Sequence, residues 1–462
     1  MHSERRSNAV NADEVTSVKP ACLVCIASLC LASQVACLAP DGQSSSNATA
    51  PVTPFAGASG NLMPAAAPAA ANPPAPSGAE STLPAVDASE LDTSQGQDIG
   101  VPEAPLSAAE QAQLSGFDGL VRATQWNAPV SQRITETKVA RAYLEWKARF
   151  FKRCDDGSEY VLKNDYTGSE QVASEGIAYG MLLAVGIGDR EAFDGLWQFY
   201  REHRNGNGLM NWLHSPCGGQ IDGNGASDAD LDAAMALILA DGRWGGLAGD
   251  ALALVTAIGT HETQTCGNGK IVLKPGDAWG GCDGTVNPSY FSPAYYRRFA
   301  SVQTDRAAFW NQFATDTYQM LAGMQDQTAG LLPDWGFGDG RAEGGDRGQF
   351  GYEAVRAPWR IALDLAWSGS NEPRAFLSRM SQTIDARGGL TAMADDESFA
   401  DKRNSAFLGS LSLSGVAVSQ QKFEGYVAEW EAYETLDDQW YYQASLRVLF
   451  LMTAGGFLPA SY

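Results

Sequence analysis

The stretch ASEGIAYGMLLAVGIGD, Ala173–Asp189, predicts an apolar helix with a carboxylate near its start. Ala178, Leu182 and Val185 recur at helical spacing and form one apolar stripe. Glu175 lies on the same stripe, three residues before Ala178 and seven before Leu182. Because a charged side chain is costly on a core-facing stripe, we interpret Glu175 as a functional group.

Helical patterning continues from about Ala108 to Tyr462. Eight further segments are amphipathic and are separated by glycine-rich loops. They cover residues 135–151, 190–204, 228–244, 247–261, 305–324, 358–367, 423–436 and 437–456. Strand signals are weak, and GKIVLKPG (269–276) is the strongest of them. The pattern predicts an all-α domain of paired helices, arranged as a bundle, a solenoid or a closed ring.

The composition excludes some classes of partner. The chain has 462 residues, 44% of them hydrophobic, and a formal net charge of −22. Such a negative field repels nucleic acid and is compatible with a neutral or cationic substrate. The length allows one large domain or two ordinary ones.

The N-terminal part has the pattern of an export signal followed by a tether. Basic residues precede the apolar run Ala21–Cys37, which is too short and too rich in small residues for a membrane span. It ends in QVAC, which resembles a lipoprotein cleavage motif with Cys37 as the lipidated residue, although Gln34 departs from it. Ordinary signal cleavage is the alternative. We therefore expect an export signal at 1–37, a disordered Ala/Pro/Ser-rich tether at 38–107 and a globular domain at 108–462.

Four of the eight cysteines lie outside this leader: Cys154, Cys217, Cys266 and Cys282. In an oxidising compartment they predict two disulfides, and Cys266 with Cys282 would close a short loop. The spacing leaves all three pairings open. With four histidines in the chain and no CxxC pair beyond the leader, we expect no metal site and no cofactor.

Acidic residues cluster in GASDADLDAAM, 225–235. Ser227 and Asp230 fit a capping box at the start of a helix, which does not need Asp228. Asp228 is interpreted either as a carboxylate that favours the positive end of the helix or as a functional group. The neighbouring DGNGASDAD fails as a calcium loop because Ala233 stands where the bidentate glutamate belongs.

A second cluster is FGYEAVRAPWRIALD, 350–364. Pro358 is expected in the first turn of a helix, which places Glu353 and Arg356 in the loop before it. The pair is interpreted either as an ion pair or as a positioned base.

Aromatic residues mark the loops. The segment NPSYFSPAYYRRF, 287–299, includes Tyr290, and GLMNW and GLLPDW end in Trp212 and Trp335. Aromatic faces stack on sugar rings, so these side chains are candidates for sugar binding. An aromatic corner of the core is the alternative for 287–299.

Five segments in order resemble glycoside hydrolase family 8. They are ASEGIAYGM, ASDADLDAAMALILADGRW, NPSYFSPAYYRRF, GYEAVRAPWRIALD and YYQASLRVLFLMTAGG. The resemblance spans about Ala108 to Tyr462. It implies an (α/α)6 barrel of six helical hairpins with a substrate cleft across one end, and hydrolysis of a β-linked glycan with inversion.

The resemblance also implies site residues. Glu175 matches the family's general acid, and Asp228 matches the aspartate that contacts the sugar at the cleavage subsite. Tyr352 and Arg356 match the motif of the base, but the family's aspartate is replaced by Glu353. We expect Glu353 to be the base. One branch of the family takes its base from an inserted loop, which makes Glu343 the alternative.

The candidate substrate-binding residues are Trp212, Tyr290, Trp335, Tyr352 and Arg356. We expect an exported enzyme, either secreted or a cell-surface or outer-membrane lipoprotein, acting as a monomer. Its expected reaction is inverting endo-hydrolysis of a β-1,4-linked polysaccharide, cellulose-type glucan first. The alternatives are a chitosanase or xylanase of the same family, or a lipoprotein that binds glycan without cutting it.

Overall fold

A computed structural model describes residues 103–164, 170–326, 330–395, 403–433 and 438–462. The predicted export signal, with Cys37, and all of the predicted tether before residue 103 lie outside these ranges. Within the described ranges, no helix combines the length and the apolar content that a membrane span requires.

Six inner helices form a closed ring, because each packs against the next and the last packs against the first. They are α3 (Ser174–Ile187), α5 (Ser227–Trp244), α7 (Pro293–Val302), α9 (Arg356–Ser368), α12 (Ser405–Ser412) and α14 (Tyr441–Ala454).

Six outer helices surround this ring, each packed on an inner helix. They are α2 (Glu136–Phe150), α4 (Arg190–Glu202), α6 (Ala248–His261), α8 (Ala307–Met324), α10 (Asn371–Ala386) and α13 (Gln420–Ala432). Outer and inner helices alternate along the chain, which gives six hairpins and confirms the predicted (α/α)6 barrel. Two shorter helices complete the described set, α1 (Ala108–Leu114) and α11 (Leu390–Asp395).

The loops carry nine short strands in antiparallel pairs within the described residues. They are β1 (Phe151–Arg153) with β2 (Glu159–Val161), β3 (Val172–Ala173) with β4 (Leu213–His214) and β5 (Gln220–Asp222), β6 (Thr263–Thr265) with β7 (Ile271–Leu273), and β8 (Thr285–Val286) with β9 (Gly336–Phe337). The predicted strand in GKIVLKPG is confirmed as β7.

The single apolar stripe predicted on α3 is wrong in extent. Every residue of α3 except Glu175 is buried, because the helix is apolar on all sides and neighbours surround it. Glu175 keeps 21% of its side chain exposed at the start of this helix. Glu175 is therefore a partly exposed carboxylate in the first turn of a helix whose other residues are all buried.

The aromatic segment 287–299 divides into a loop and a helix that the periodicity did not predict. Pro293 is the first residue of α7, a position that suits its fixed φ. Tyr295, Tyr296 and Phe299 then point into the core and are at most 1% exposed. Tyr290 precedes α7 and stays partly exposed, so it alone of these tyrosines remains available to a ligand.

Two disulfides join the four cysteines of the domain. Cys266 pairs with Cys282, as the loop length suggested, and Cys154 pairs with Cys217. The second bond ties the turn between β1 and β2 to the loop between β4 and β5.

The capping box predicted at Ser227 and Asp230 is wrong. Helix α5 begins at Ser227 itself, whose hydroxyl donates to the Lys274 carbonyl at 2.7 Å. The Asp230 carboxylate instead accepts hydrogen bonds from the Tyr200 hydroxyl and, at 3.3 Å, from the Met210 amide.

Asp230 and Glu262 are both fully buried and lie together beside Gly225, and Asp230 Oδ2 and both carboxyl oxygens of Glu262 have no hydrogen-bond partner among the described residues. Two carboxyl groups can share a hydrogen bond only when one of them holds a proton. Burial and the negative charge of Asp230 raise the pKa of Glu262, with smaller effects from Asp277 and Asp228, and burial also raises the pKa of Asp230. The pair therefore retains one proton in the folded protein.

Glu262→Gln tests this shared proton. Because both folded-state pKa values exceed the unfolded values, the stability that the pair contributes is complete below about pH 4 and is lost as the pH rises. Glutamine can donate to Asp230 without binding a proton. We therefore expect the difference between the Tm of the variant and that of the wild type to shift in favour of the variant as the pH rises from about 4 to 8. Thermal unfolding across this range measures the effect.

Glu262→Ala is the matched control, because alanine supplies no donor to Asp230 and should lower Tm at every pH. Parallel Tm curves for Glu262→Gln and the wild type would contradict the shared proton.

Candidate active site

Side chains that the sequence singled out, together with Tyr441, meet where the inner helices begin. Glu175 is the second residue of α3, Asp228 is the second residue of α5, and Tyr441 is the first residue of α14. Arg356 is the first residue of α9, so the prediction that it lies before the helix is wrong, whereas Pro358 does lie in the first turn. The partial positive charge of a helix N-terminus favours carboxylates at these positions.

Arg356 joins the three predicted catalytic carboxylates. It is 2% exposed, and its Nη1 lies 2.5 Å from Asp228 Oδ2 and 3.1 Å from Glu175 Oε2. Its Nη2 binds Glu353 Oε2. One arginine therefore brings together acids from three separate hairpins.

A second ion pair one helical turn away fixes the register of α5 against α9. Arg360 Nη1 and Nη2 lie 2.8 Å and 2.9 Å from the two carboxylate oxygens of Asp232, and both residues are at most 1% exposed. Asp228 and Asp232 are four residues apart, as are Arg356 and Arg360. The buried bidentate pair therefore holds Arg356 opposite Asp228.

Glu175 carries the most informative electrostatics of the site. Burial raises its pKa to about 7, and the negative charges of Asp228 and Glu353 act in the same direction. The positive charge of Arg356 and the hydrogen bond from the Tyr441 hydroxyl to Glu175 Oε1 oppose this rise. The result is a carboxyl group that holds a proton at mildly acidic pH, as a general acid requires.

Glu353 is the most exposed of the three carboxylates, with 34% of its side chain accessible. Its Oε2 accepts a hydrogen bond from Asn287 Nδ2 at 2.8 Å in addition to the one from Arg356. A carboxylate with open access to solvent can hold and deprotonate a water molecule.

Three aromatic rings from different loops lead away from Arg356. The guanidinium lies 4.9 Å from the centroid of Tyr290, whose ring is 6.5 Å from Trp335. Trp335 is in turn 5.7 Å from Trp279, which is 44% exposed. The row Tyr290–Trp335–Trp279 forms an aromatic surface that starts at the carboxylates and ends in solvent.

The other two predicted aromatic residues flank the same centre. The Trp212 carbonyl accepts a hydrogen bond from the Ser174 amide at 2.9 Å, which places Trp212 beside the first turn of α3. The ring of Tyr352, the residue before Glu353, is 38% exposed and packs edge-on at 4.9 Å against Phe407. Its hydroxyl accepts a hydrogen bond from Asn404 at 3.1 Å.

Glu343, the alternative base, has a different neighbour. Its carboxylate forms an ion pair at 3.1 Å with Arg347, whose guanidinium lies 4.5 Å from the centroid of Trp335. Glu343 therefore belongs to the loop beside the aromatic row, whereas Glu353 is bound to Arg356.

Sequence reasoning missed three residues of the site: Tyr441, Asn287 and Trp279. Each lies at a recognisable position, since Tyr441 opens the last helix, Asn287 precedes a proline, and Trp279 lies between the two cysteines of a short loop. Their roles depend on contacts between distant hairpins, which periodicity along the chain does not report.

Tyr441→Phe tests the electrostatics of Glu175. The lost hydroxyl lowers the pKa of Glu175 in the wild type, so we expect the variant to titrate this carboxyl at higher pH. NMR of protein with ¹³C-labelled glutamate carboxyls, assigned with Glu175→Gln, measures the shift. Tyr442→Phe is the matched control, because that hydroxyl donates to the Tyr352 carbonyl at 2.5 Å. An unchanged or lower pKa of Glu175 in Tyr441→Phe would contradict the assignment.

The domain is similar in sequence to bacterial endoglucanases. Endoglucanase A of Acetivibrio thermocellus is 32% identical over 333 residues, which cover 68% of this chain and 68% of that protein. Endoglucanase 2 of Ruminiclostridium josui is 33% identical over 54% of this chain, which spans only about half of that protein (55%).

A solved glucanase structure has the same fold as this domain. The structure of the β-1,3-1,4-glucanase from Paenibacillus sp. X4 superposes with a TM-score of 0.60 at 22% identity, over 72% of this chain and 96% of that one. The family model described as "Glycosyl hydrolases family 8" matches residues 126–455, more than half of the sequence. With the same fold and the same ordered motifs, the chain belongs to family 8 of the glycosyl hydrolases.

Proposed function

We propose that the protein hydrolyses internal β-1,4 linkages of a polysaccharide with inversion of configuration, with cellulose-type β-glucan as the substrate. The observation that carries the proposal is the convergence of Glu175, Asp228 and Glu353 on the buried Arg356. The family and the endoglucanases among its relatives support the substrate class.

In this proposal Glu175 is the general acid. Its raised pKa lets it arrive at the reaction protonated, and it gives that proton to the oxygen of the leaving sugar as the glycosidic bond breaks. Glu353 is the base, which takes a proton from the water that attacks the anomeric carbon from the opposite face. Arg356 stands between the two carboxyls, and inverting enzymes keep such groups about 6.5–9.5 Å apart to admit that water.

Asp228 is proposed to contact the sugar at the cleavage subsite. It is 3% exposed, and its Oδ2 is bound by Arg356 Nη1, the same nitrogen that binds Glu175 Oε2. Its negative charge next to the anomeric centre would stabilise the positive charge that develops there in the transition state.

The aromatic row gives the polymer a surface on which to lie. Tyr290, Trp335 and Trp279 follow one another away from Arg356, and Trp212 and Tyr352 belong to segments next to Glu175 and Glu353. An extended surface of this kind favours a chain that passes through the site, and hence internal cleavage. Chitosan is the alternative substrate favoured by a specific property, the net charge of −22, which attracts a cationic polymer.

We also infer that the protein works outside the cytoplasm. Disulfides form and persist in oxidising compartments, and this domain has two. An export signal at 1–37 with a lipid anchor on Cys37, followed by a tether at 38–107, would hold the catalytic domain at a cell surface. Lipid anchoring and the monomeric state stay predictions from the sequence.

Reducing-end assays on carboxymethylcellulose, mixed-linkage glucan, chitosan and xylan test the proposed function. We expect cellulose-type glucan to be cleaved fastest. Because acid–base catalysis contributes about 10²–10⁴-fold, Glu175→Gln and Glu353→Gln should each lose at least about 100-fold in kcat. Glu343→Gln is the matched control and should keep near wild-type activity.

Two outcomes would overturn parts of the proposal. Near wild-type hydrolysis by Glu353→Gln together with an inactive Glu343→Gln would move the base to the loop. Oligosaccharide binding without turnover on any of the four polymers would replace the enzyme with a glycan-binding protein.

The pH profile of kcat/KM gives a separate prediction. Glu175 is active only when protonated, so kcat/KM should fall as the pH rises through the pKa of this residue, about 7. Tyr441→Phe should move this alkaline limb to higher pH, in step with the titration of Glu175. A limb that stays in place in Tyr441→Phe would assign the limb to another group.

A further inference from the structure

A glutamate at the position of the base needs more restraint than an aspartate. Its side chain has one more rotatable bond, so holding it in a single conformation costs more entropy. Packing alone does not supply the restraint, since 34% of the Glu353 side chain is exposed.

Two donors converge on one oxygen of Glu353. Arg356 Nη2 and Asn287 Nδ2 both bind Oε2, the latter at 2.8 Å. Arg356 is shared with Asp228 and Glu175, whereas the Asn287 amide nitrogen serves Glu353. Among the described residues, no hydrogen bond to Glu353 Oε1 is found, so this oxygen is the one available to water.

The orientation of the Asn287 amide is fixed from its other side. Asn287 Oδ1 accepts hydrogen bonds from the Ser289 amide at 3.0 Å and from the Ser289 hydroxyl at 2.7 Å. Asn287 and Ser289 are at most 1% exposed. With two donors on its oxygen, the amide must present its NH₂ group to Glu353.

The turn that carries Asn287 is anchored to the core. Arg360 Nε donates to the Ser289 carbonyl at 2.9 Å, and the same guanidinium forms the bidentate pair with Asp232. The Asn287 NH₂ group is therefore held by the same ion pair that sets the register of α5 against α9.

We propose that Asn287 is a positioning residue that binds Oε2 of Glu353 and so assigns Oε1 as the oxygen that takes the proton from water. This inference rests on the proposed role of Glu353 as the base. Asn287 itself donates to a carboxylate and exchanges no proton in the reaction.

Asn287→Ala and Asn287→Asp separate positioning from a structural role. A hydrogen bond to a charged group corresponds to about 10- to 100-fold, so Asn287→Ala should lose this much in kcat with KM within about twofold. Asn287→Asp keeps the shape and the contacts to Ser289 but turns a carboxylate toward Glu353, and it should be slower than Asn287→Ala. A purely structural role predicts the reverse order, because aspartate is nearly isosteric with asparagine.

The matched control is Asn127→Ala, which removes an asparagine amide that donates at 3.2 Å to the Ala366 carbonyl near the other end of α9. It should leave kcat unchanged. Thermal unfolding of each variant checks that the fold is retained.

A double-mutant cycle with Glu353→Ala completes the test. If Asn287 acts through Glu353, Asn287→Ala should cause no further loss in the Glu353→Ala background. Multiplied losses, or an Asn287→Ala variant with wild-type kcat beside an inactive Glu353→Ala, would overturn the positioning role alone. Near wild-type activity of Glu353→Ala would instead overturn the proposed base, and the positioning role with it.

Discussion

The site depends on one buried guanidinium surrounded by more negative charge than it can neutralise. Arg356 contacts Asp228, Glu175 and Glu353, so three carboxylates share one positive charge, and Arg356 and Asp228 are almost fully buried. Burial of unbalanced charge is costly, and binding one proton brings the cluster closer to neutrality. The proton goes to Glu175, whose pKa burial raises to about 7. The protonation of Glu175 thus depends on the excess negative charge of the cluster as much as on the apolar helix that carries this residue.

This arrangement requires two inner helices to face each other in one register. The fully buried pair Asp232–Arg360 lies one turn from Asp228–Arg356, and each helix contributes its two residues at a spacing of four. A slip of either helix would separate a buried charge from its partner, which is strongly destabilising. The Asp232–Arg360 pair therefore fixes the position of the Asp228–Arg356 pair, where the chemistry is proposed to occur. The same guanidinium also fixes the turn that carries Asn287.

The barrel could be predicted from the sequence because most of its helices have strong periodicity and because the motifs resemble a family of known fold. One error arose where a side chain had two possible partners. Asp230 satisfies the local pattern of a capping box, yet its carboxylate accepts hydrogen bonds from the Tyr200 hydroxyl and the Met210 amide, at least twenty residues earlier in the chain. Local patterns cannot rank a capping bond against a tertiary one. In the same way, the proximity of Trp279 to Trp335 depends on two loops that the chain separates by more than fifty residues.

Position 353 is where this chain departs from the family motif, because glutamate replaces the aspartate that the family uses as the base. An added methylene would carry the carboxylate past the position of the shorter side chain if it extended straight out. Here Glu353 folds back toward Arg356, three residues later in the chain, and its Oε2 is held there with the help of Asn287. The longer side chain reaches both Arg356 at the start of α9 and Asn287 in the turn before α7. A longer side chain and a pair of fixed donors can therefore present one carboxylate oxygen to solvent as reliably as a shorter side chain that needs fewer restraints.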